Sequence, residues 1–143
     1  MKYSDIKKVN KFCTGLFSEP NYKEVINNIE SSNDDFEVDG VRFIQSEYID
    51  DIQQNELLSD LYCLGCFNAY FLADYLPIDM NDIQAIQDAG AYEAIGKMCK
   101  VHIADIQAGY VSADGYGHHF NHYDGNEEEL NINGVLYHVF DNH

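Results

Sequence analysis

Phe36-Glu37-Val38-Asp39-Gly40-Val41-Arg42-Phe43-Ile44 alternates apolar and polar residues on both sides of an Asp-Gly pair. Asp-Gly is a strong two-residue hairpin signal, because both central positions of the tight turn need positive φ. Closing the turn there sets Val38 opposite Val41, Glu37 opposite Arg42 and Phe36 opposite Phe43. The apolar pairs then share one face and an ion pair takes the other. The same logic recurs near the end of the chain, where Asn133-Gly134 separates Glu129-Leu130-Asn131-Ile132 from Val135-Leu136-Tyr137-His138-Val139-Phe140. A two-residue turn puts Ile132 opposite Val135, Asn131 opposite Leu136, Leu130 opposite Tyr137 and Glu129 opposite His138. With Asp124-Gly125 as another turn signal after the aromatic and His-rich residues 116–123, the last third reads as a C-terminal antiparallel β-meander.

The segments around the first hairpin carry helical periodicity. Ser4 can cap a helix whose apolar residues Ile6, Val9, Phe12, Cys13, Leu16 and Phe17 recur at spacings of three and four. Pro20 sits where a second helix starts, with Tyr22, Val25, Ile26 and Ile29 as its stripe. Residues 46–52 can form a short helix, and Asn55 can cap a longer one expected from Glu56 to Leu76. That segment is apolar almost all round, which marks a central buried helix ended by Pro77. Asp79 caps residues 80–89, and Tyr92, Ile95, Met98, Cys99, His102 and Ile106 outline a further helix closing near Gly109. The expected fold class is α+β: a helical N-terminal two-thirds with one β-hairpin and a central buried helix, then the meander.

At 143 residues with 45% hydrophobic and 13% aromatic residues, the chain has the material for one packed core, and no linker or repeat divides it. The reading is a single domain over residues 1–143. No apolar run approaches the length of a membrane span, and Met1-Lys2-Tyr3-Ser4-Asp5 lacks the apolar stretch of an export signal, so a cytoplasmic protein is expected. Cys13, Cys63, Cys66 and Cys99 are then expected as free thiols.

Two clusters contain metal-ligand residue types. Cys63-Leu64-Gly65-Cys66 has the spacing of a zinc knuckle or a redox pair, but lies inside the apolar helix candidate, where Cys serves as a small core residue. His118-His119-Phe120-Asn121-His122-Tyr123-Asp124, as a strand, places His118 and His122 on one face, where they could hold a divalent ion; the competing reading is an exposed polar face. Asp35 to Gly40 matches the first half of an EF-hand loop, yet Ser46 stands where the bidentate Glu belongs, and the hairpin already accounts for the pattern. The chain has no Gly-rich phosphate loop, His-Glu-x-x-His motif or Gly-x-Ser-x-Gly elbow, so neither an enzyme nor a cofactor is indicated.

Charge is the dominant feature. The net charge is −17, and residues 24–143 hold 23 Asp and Glu against three basic residues. Asp34, Asp35, Asp50, Asp51, Glu56, Asp60, Asp79, Asp82, Asp88 and the run Glu127-Glu128-Glu129 recur along the body of the chain. Acids at helix starts complement the dipole, but the matching Lys and Arg at helix ends are missing. Such a field repels nucleic acid and anionic membranes and attracts basic surfaces. In size, acidity and lack of enzyme motifs the whole chain resembles phage and plasmid inhibitors that mimic DNA, the anti-CRISPR and antirestriction proteins. The resemblance implies a partner with a basic, nucleic-acid-binding surface, met by the twelve acids named above. Tyr48, Tyr92 or Tyr110 would serve as aromatic anchors. The alternatives are an adaptor that binds a protein through apolar contacts, and a metal-binding module on residues 118–124.

Overall fold

The computed structural model describes all 143 residues. In chain order the elements are α1 (Tyr3–Thr14), α2 (Tyr22–Glu30), β1 (Asp35–Val38), β2 (Val41–Gln45), α3 (Ile49–Leu58), α4 (Leu61–Gly65), α5 (Ala69–Leu72), α6 (Met80–Asp88) and α7 (Tyr92–Cys99). A 3₁₀ turn over Lys100–His102 leads into α8 (Ile103–Asp114), followed by α9 (Gly117–Phe120), β3 (Glu128–Ile132) and β4 (Val135–Asp141). The fold is α+β. Its contacts separate into two compact units: residues 1–49 with 114–143, and residues 50–113. The sequence shows no boundary at either junction because helices occupy them: α3 begins at Ile49 and α8 ends at Asp114.

The first unit is built on one antiparallel sheet of order β1-β2-β4-β3. Both hairpins have the register their turns dictate: Val38 pairs with Val41 and Phe36 with Phe43, while Ile132 pairs with Val135 and Glu129 with His138. Asp39 and Gly40 take φ of 50° and 81°, and Asn133 and Gly134 take 54° and 84°, the left-handed pair that such turns require. The C-terminal strands do not form a separate meander. β4 pairs with β2 as well as with β3, and residues 117–120 are helical instead of extended. The expected ion pair also shifts diagonally, since Arg42 grips Asp35 with two bonds of 2.9 and 2.8 Å.

One sheet face carries Phe36, Val38, Val41, Phe43, Leu130 and Val139 and packs on Val9, Cys13, Leu16, Val25 and Ile26 of the N-terminal segment. Phe36 stacks on Phe43 with centroids 4.9 Å apart. Removing each such side chain from water is worth about 1.5–3 kcal/mol, which is why the helices lie on this face. The opposite face holds Ile44, His138 and Phe140, with Phe120 of α9 at 5.2 Å from the Phe140 ring. Helix α1 begins one residue before Ser4, which does not cap it, and Phe17 falls beyond its end, 73% exposed.

The second unit is helical and corrects the central-helix expectation. Residues 56–76 are three short pieces, not one rod. Asp60 accepts a bond from Cys63 N and starts α4, and Asn68 accepts from Tyr70 N and Phe71 N and starts α5. Gln87 of α6 donates to the carbonyls of Gly65 and Phe67, both at 2.8 Å, satisfying the backbone where the chain breaks. The core is Leu57, Leu64, Leu72, Ile83, Ile95, Cys99 and Ile106, while Tyr62 and Tyr70 of the supposedly buried segment face solvent.

Cys63 and Cys66 are likewise exposed, not core, and all four cysteines are free. Burial pushes the Cys13 and Cys99 thiols up to about 11, and the hydrogen bond to Asp60 raises that of Cys63. Because the thiolate is the reactive form, a thiol reagent at pH 8 should label only Cys63 and Cys66 in the native chain. Cys13 and Cys99 should react after denaturation; rapid native labelling of all four, read by mass spectrometry, would contradict these positions.

Candidate functional site

Eleven of the twelve acids singled out above are exposed, with Glu56 half-buried. They divide by what their carboxylates do. Asp60 and Asp79 cap helices, the latter accepting from Asp82 N at 2.8 Å. Hydrogen bonds from Cys63 hold the Asp60 carboxyl below its ordinary pKa. Asp35 is held by Arg42, Asp88 accepts from Gln84 at 2.9 Å, and Asp50 accepts from the buried Gln107 at 2.9 Å. Gln107 also donates to Gln53 at 2.8 Å, so Asp50 belongs to a polar network inside the helical unit. Asp34, Asp51, Asp82 and Glu128 have exposed carboxylates with no hydrogen-bond or ion-pair partner.

The charge is shared between the units. Residues 50–113 carry ten Asp and Glu against Lys97 and Lys100, a net −8, and the sheet unit carries the remaining −9. In the sheet unit Arg42 pairs with Asp35, the N-terminal amine lies 3.8 Å from Glu30, and His138 and His143 approach the carboxylates of Glu127 and Asp141. Of the tyrosines named as anchors, Tyr48 is exposed, Tyr92 packs edge-on against Tyr62 at 5.2 Å, and Tyr110 is buried against Phe67 at 5.1 Å, which removes it from any surface role.

Residues 118–124 do not form the two-histidine strand face. Buried Asn121 organises them into a turn: its amide nitrogen donates to Asp124 at 2.9 Å and to the Asn126 carbonyl at 2.7 Å. Its oxygen accepts from Tyr123 N and Asp124 N. The ligand-type side chains that do converge are Glu127, Glu129 and His138, whose donor atoms lie within 4.8 Å of one another. The sequence reading had Glu129 opposite His138. What it missed is that His138 is only 6% exposed and that Glu127, two residues before Glu129, reaches the same ring.

An open groove of about 800 Å³ in the sheet unit is lined in part by Lys2, Asp5, Glu30 and Tyr137. The Tyr137 hydroxyl is engaged with Gln45 and the Asn33 carbonyl, and burial raises its pKa, so it acts as a structural phenol. No helix is long and apolar enough to cross a membrane. Compared with protein-family models, curated proteins and solved structures, the chain matches none.

Proposed function

We propose that this protein is an acidic inhibitor that occupies the basic, nucleic-acid-binding surface of a defence complex, a CRISPR effector or a restriction enzyme, in place of DNA. The observation that supports the reading is the excess of carboxylates over cations, 23 acids against three basic residues over residues 24–143, with the exposed carboxylates of Asp34, Asp51, Asp82 and Glu128 in no hydrogen bond or ion pair of their own chain. Crowding like charge on a folded surface destabilises it through self-repulsion, and a basic partner relieves that cost while steering encounter. Proteins that bind duplex DNA present Lys and Arg to a charge every ~1.7 Å of axis, so fixed carboxylates on a rigid body compete for the same groove.

A second reading has its own observation. Phe17 and Tyr123 stack at 5.5 Å while 73% and 61% exposed, an aromatic pair suited to an apolar contact with a protein partner. The two readings separate in one assay. Purified CRISPR effectors and restriction endonucleases are tested on linear duplex DNA at about 50 mM NaCl, where the screening length is still ~14 Å. Inhibition of at least one enzyme, relieved by excess DNA, is expected from charge mimicry. Inhibition that excess DNA does not relieve favours the aromatic pair, and no inhibition across the panel overturns the proposal.

A further inference from the structure

We propose that Glu127, Glu129 and His138 form a binding site for a divalent transition-metal ion of the Zn²⁺ class. The convergence is fixed by the backbone. The Asn133-Gly134 turn sets the register that puts Glu129 directly across from His138, and the period-two alternation of an extended chain brings Glu127 to the same side as Glu129. The three donor atoms already lie within 4.8 Å of one another. Ligands held at about 2.0–2.2 Å around a tetrahedral ion are separated by roughly 3.3–3.6 Å. The His138 Nδ1 to Glu127 Oε2 hydrogen bond of 3.3 Å already spans the length of one such edge; an ion would take the place of its shared proton, which leaves to solvent, and Glu129 would close in.

The imidazole separates this cluster from an ordinary acidic surface. On a solvated strand face a histidine lies in water, whereas His138 is 94% buried, with the Tyr116 ring 5.0 Å from its own and Ile44 as its partner on β2. Its ring is held in place, with Nδ1 against the Glu127 carboxylate. Both glutamates are exposed, which leaves an outer side for water or a partner's donor to complete the shell. One nitrogen and two carboxylates make a mixed set that suits Zn²⁺ and neighbouring transition ions; Ca²⁺ and Mg²⁺ prefer all-oxygen shells. Two carboxylates with a neutral imidazole also neutralise a dication locally, inside a unit that is otherwise strongly negative.

The test is titration of ZnCl₂ into the full chain by calorimetry, with about 10 mM MgCl₂ present to occupy diffuse carboxylate sites. One equivalent should bind in the micromolar range or tighter, with a matching shift of the His138 Nδ1 resonance in ¹⁵N spectra. Losing a group that merely hydrogen-bonds a metal ligand costs about 10–100-fold in metal affinity, so removing a ligand carboxylate by Glu127→Gln or Glu129→Gln should weaken binding at least about tenfold. Both residues are exposed, so these variants fold, and Glu128→Gln, whose strand partner Val139 lies on the opposite sheet face, should leave the affinity unchanged. Absence of a one-to-one heat, affinity untouched by both ligand variants, or equal loss in Glu128→Gln would overturn the site.

Discussion

Gly96→Ala is expected to lower the stability of the helical unit by about 3 kcal/mol, the upper range for forcing extra volume into a packed interior. A Cβ on Gly96 would run into the Leu61 backbone carbonyl, and one on Gly65 would meet the Tyr92 carbonyl. The two glycines therefore form reciprocal contacts by which α4 and α7 approach backbone to backbone. Neither needs positive φ, so alanine is locally acceptable and even a better helix former by about 1 kcal/mol. The loss comes from collision with main chain, which cannot rotate away as a side-chain tip can. Gly15→Ala is the control: its Cβ would meet the Phe12 carbonyl at an ordinary 3.4 Å, and it should shift stability by less than about 0.5 kcal/mol. Urea denaturation that finds Gly96→Ala as stable as the parent would show that α4 and α7 are not in this contact.

The second large effect is functional. Replacing Asp34, Asp51 and Asp82 by Asn together with Glu128 by Gln should weaken inhibition of the target enzyme by at least about 100-fold, or ~2.7 kcal/mol. The fold should barely register the change. Loss of two first-turn acids from α3 and α6 costs about 0.5 kcal/mol each, and relief of self-repulsion offsets it. The control replaces Asp35, Asp60, Asp79 and Asp88, whose carboxylates hold Arg42, two helix starts and Gln84. Each cap there is worth about 1 kcal/mol, so this variant should lose stability. If the first quadruple variant inhibits as well as the parent, the unpartnered acids are a solvation layer.

How far the sequence reveals all this depends on which interactions are local. Both hairpins are readable to the residue, because Asp39-Gly40 and Asn133-Gly134 fix the turn and alternation fixes the faces. The joining of β2 to β4 across some ninety residues leaves no local trace. The segment from Glu56 to Leu76 reads as one buried helix because its apolar residues run all round; Asp60 and Asn68 cap the shorter pieces, and only packing against Gln87 and α7 makes the breaks favourable. In residues 118–124 the alternation suggests a strand, and one buried amide, Asn121, outweighs it with bonds on both sides of its side chain. The acids were legible as a class. Which of them hold the fold together and which face solvent unpartnered depends on distances such as Arg42 to Asp35, set by side-chain reach across the sheet.

The claim that charge drives binding is tested most directly by the salt dependence of inhibition. With the target enzyme found by the DNA-cleavage panel, the apparent inhibition constant is measured from about 50 to 500 mM NaCl, over which the screening length falls from ~14 to ~4 Å. A carboxylate surface standing in for DNA predicts a steep, log-linear loss of affinity exceeding about 100-fold, parallel to the enzyme's own loss of DNA binding. An inhibition constant that stays flat across that range while DNA binding falls would contradict the account and assign recognition to shape and apolar contact.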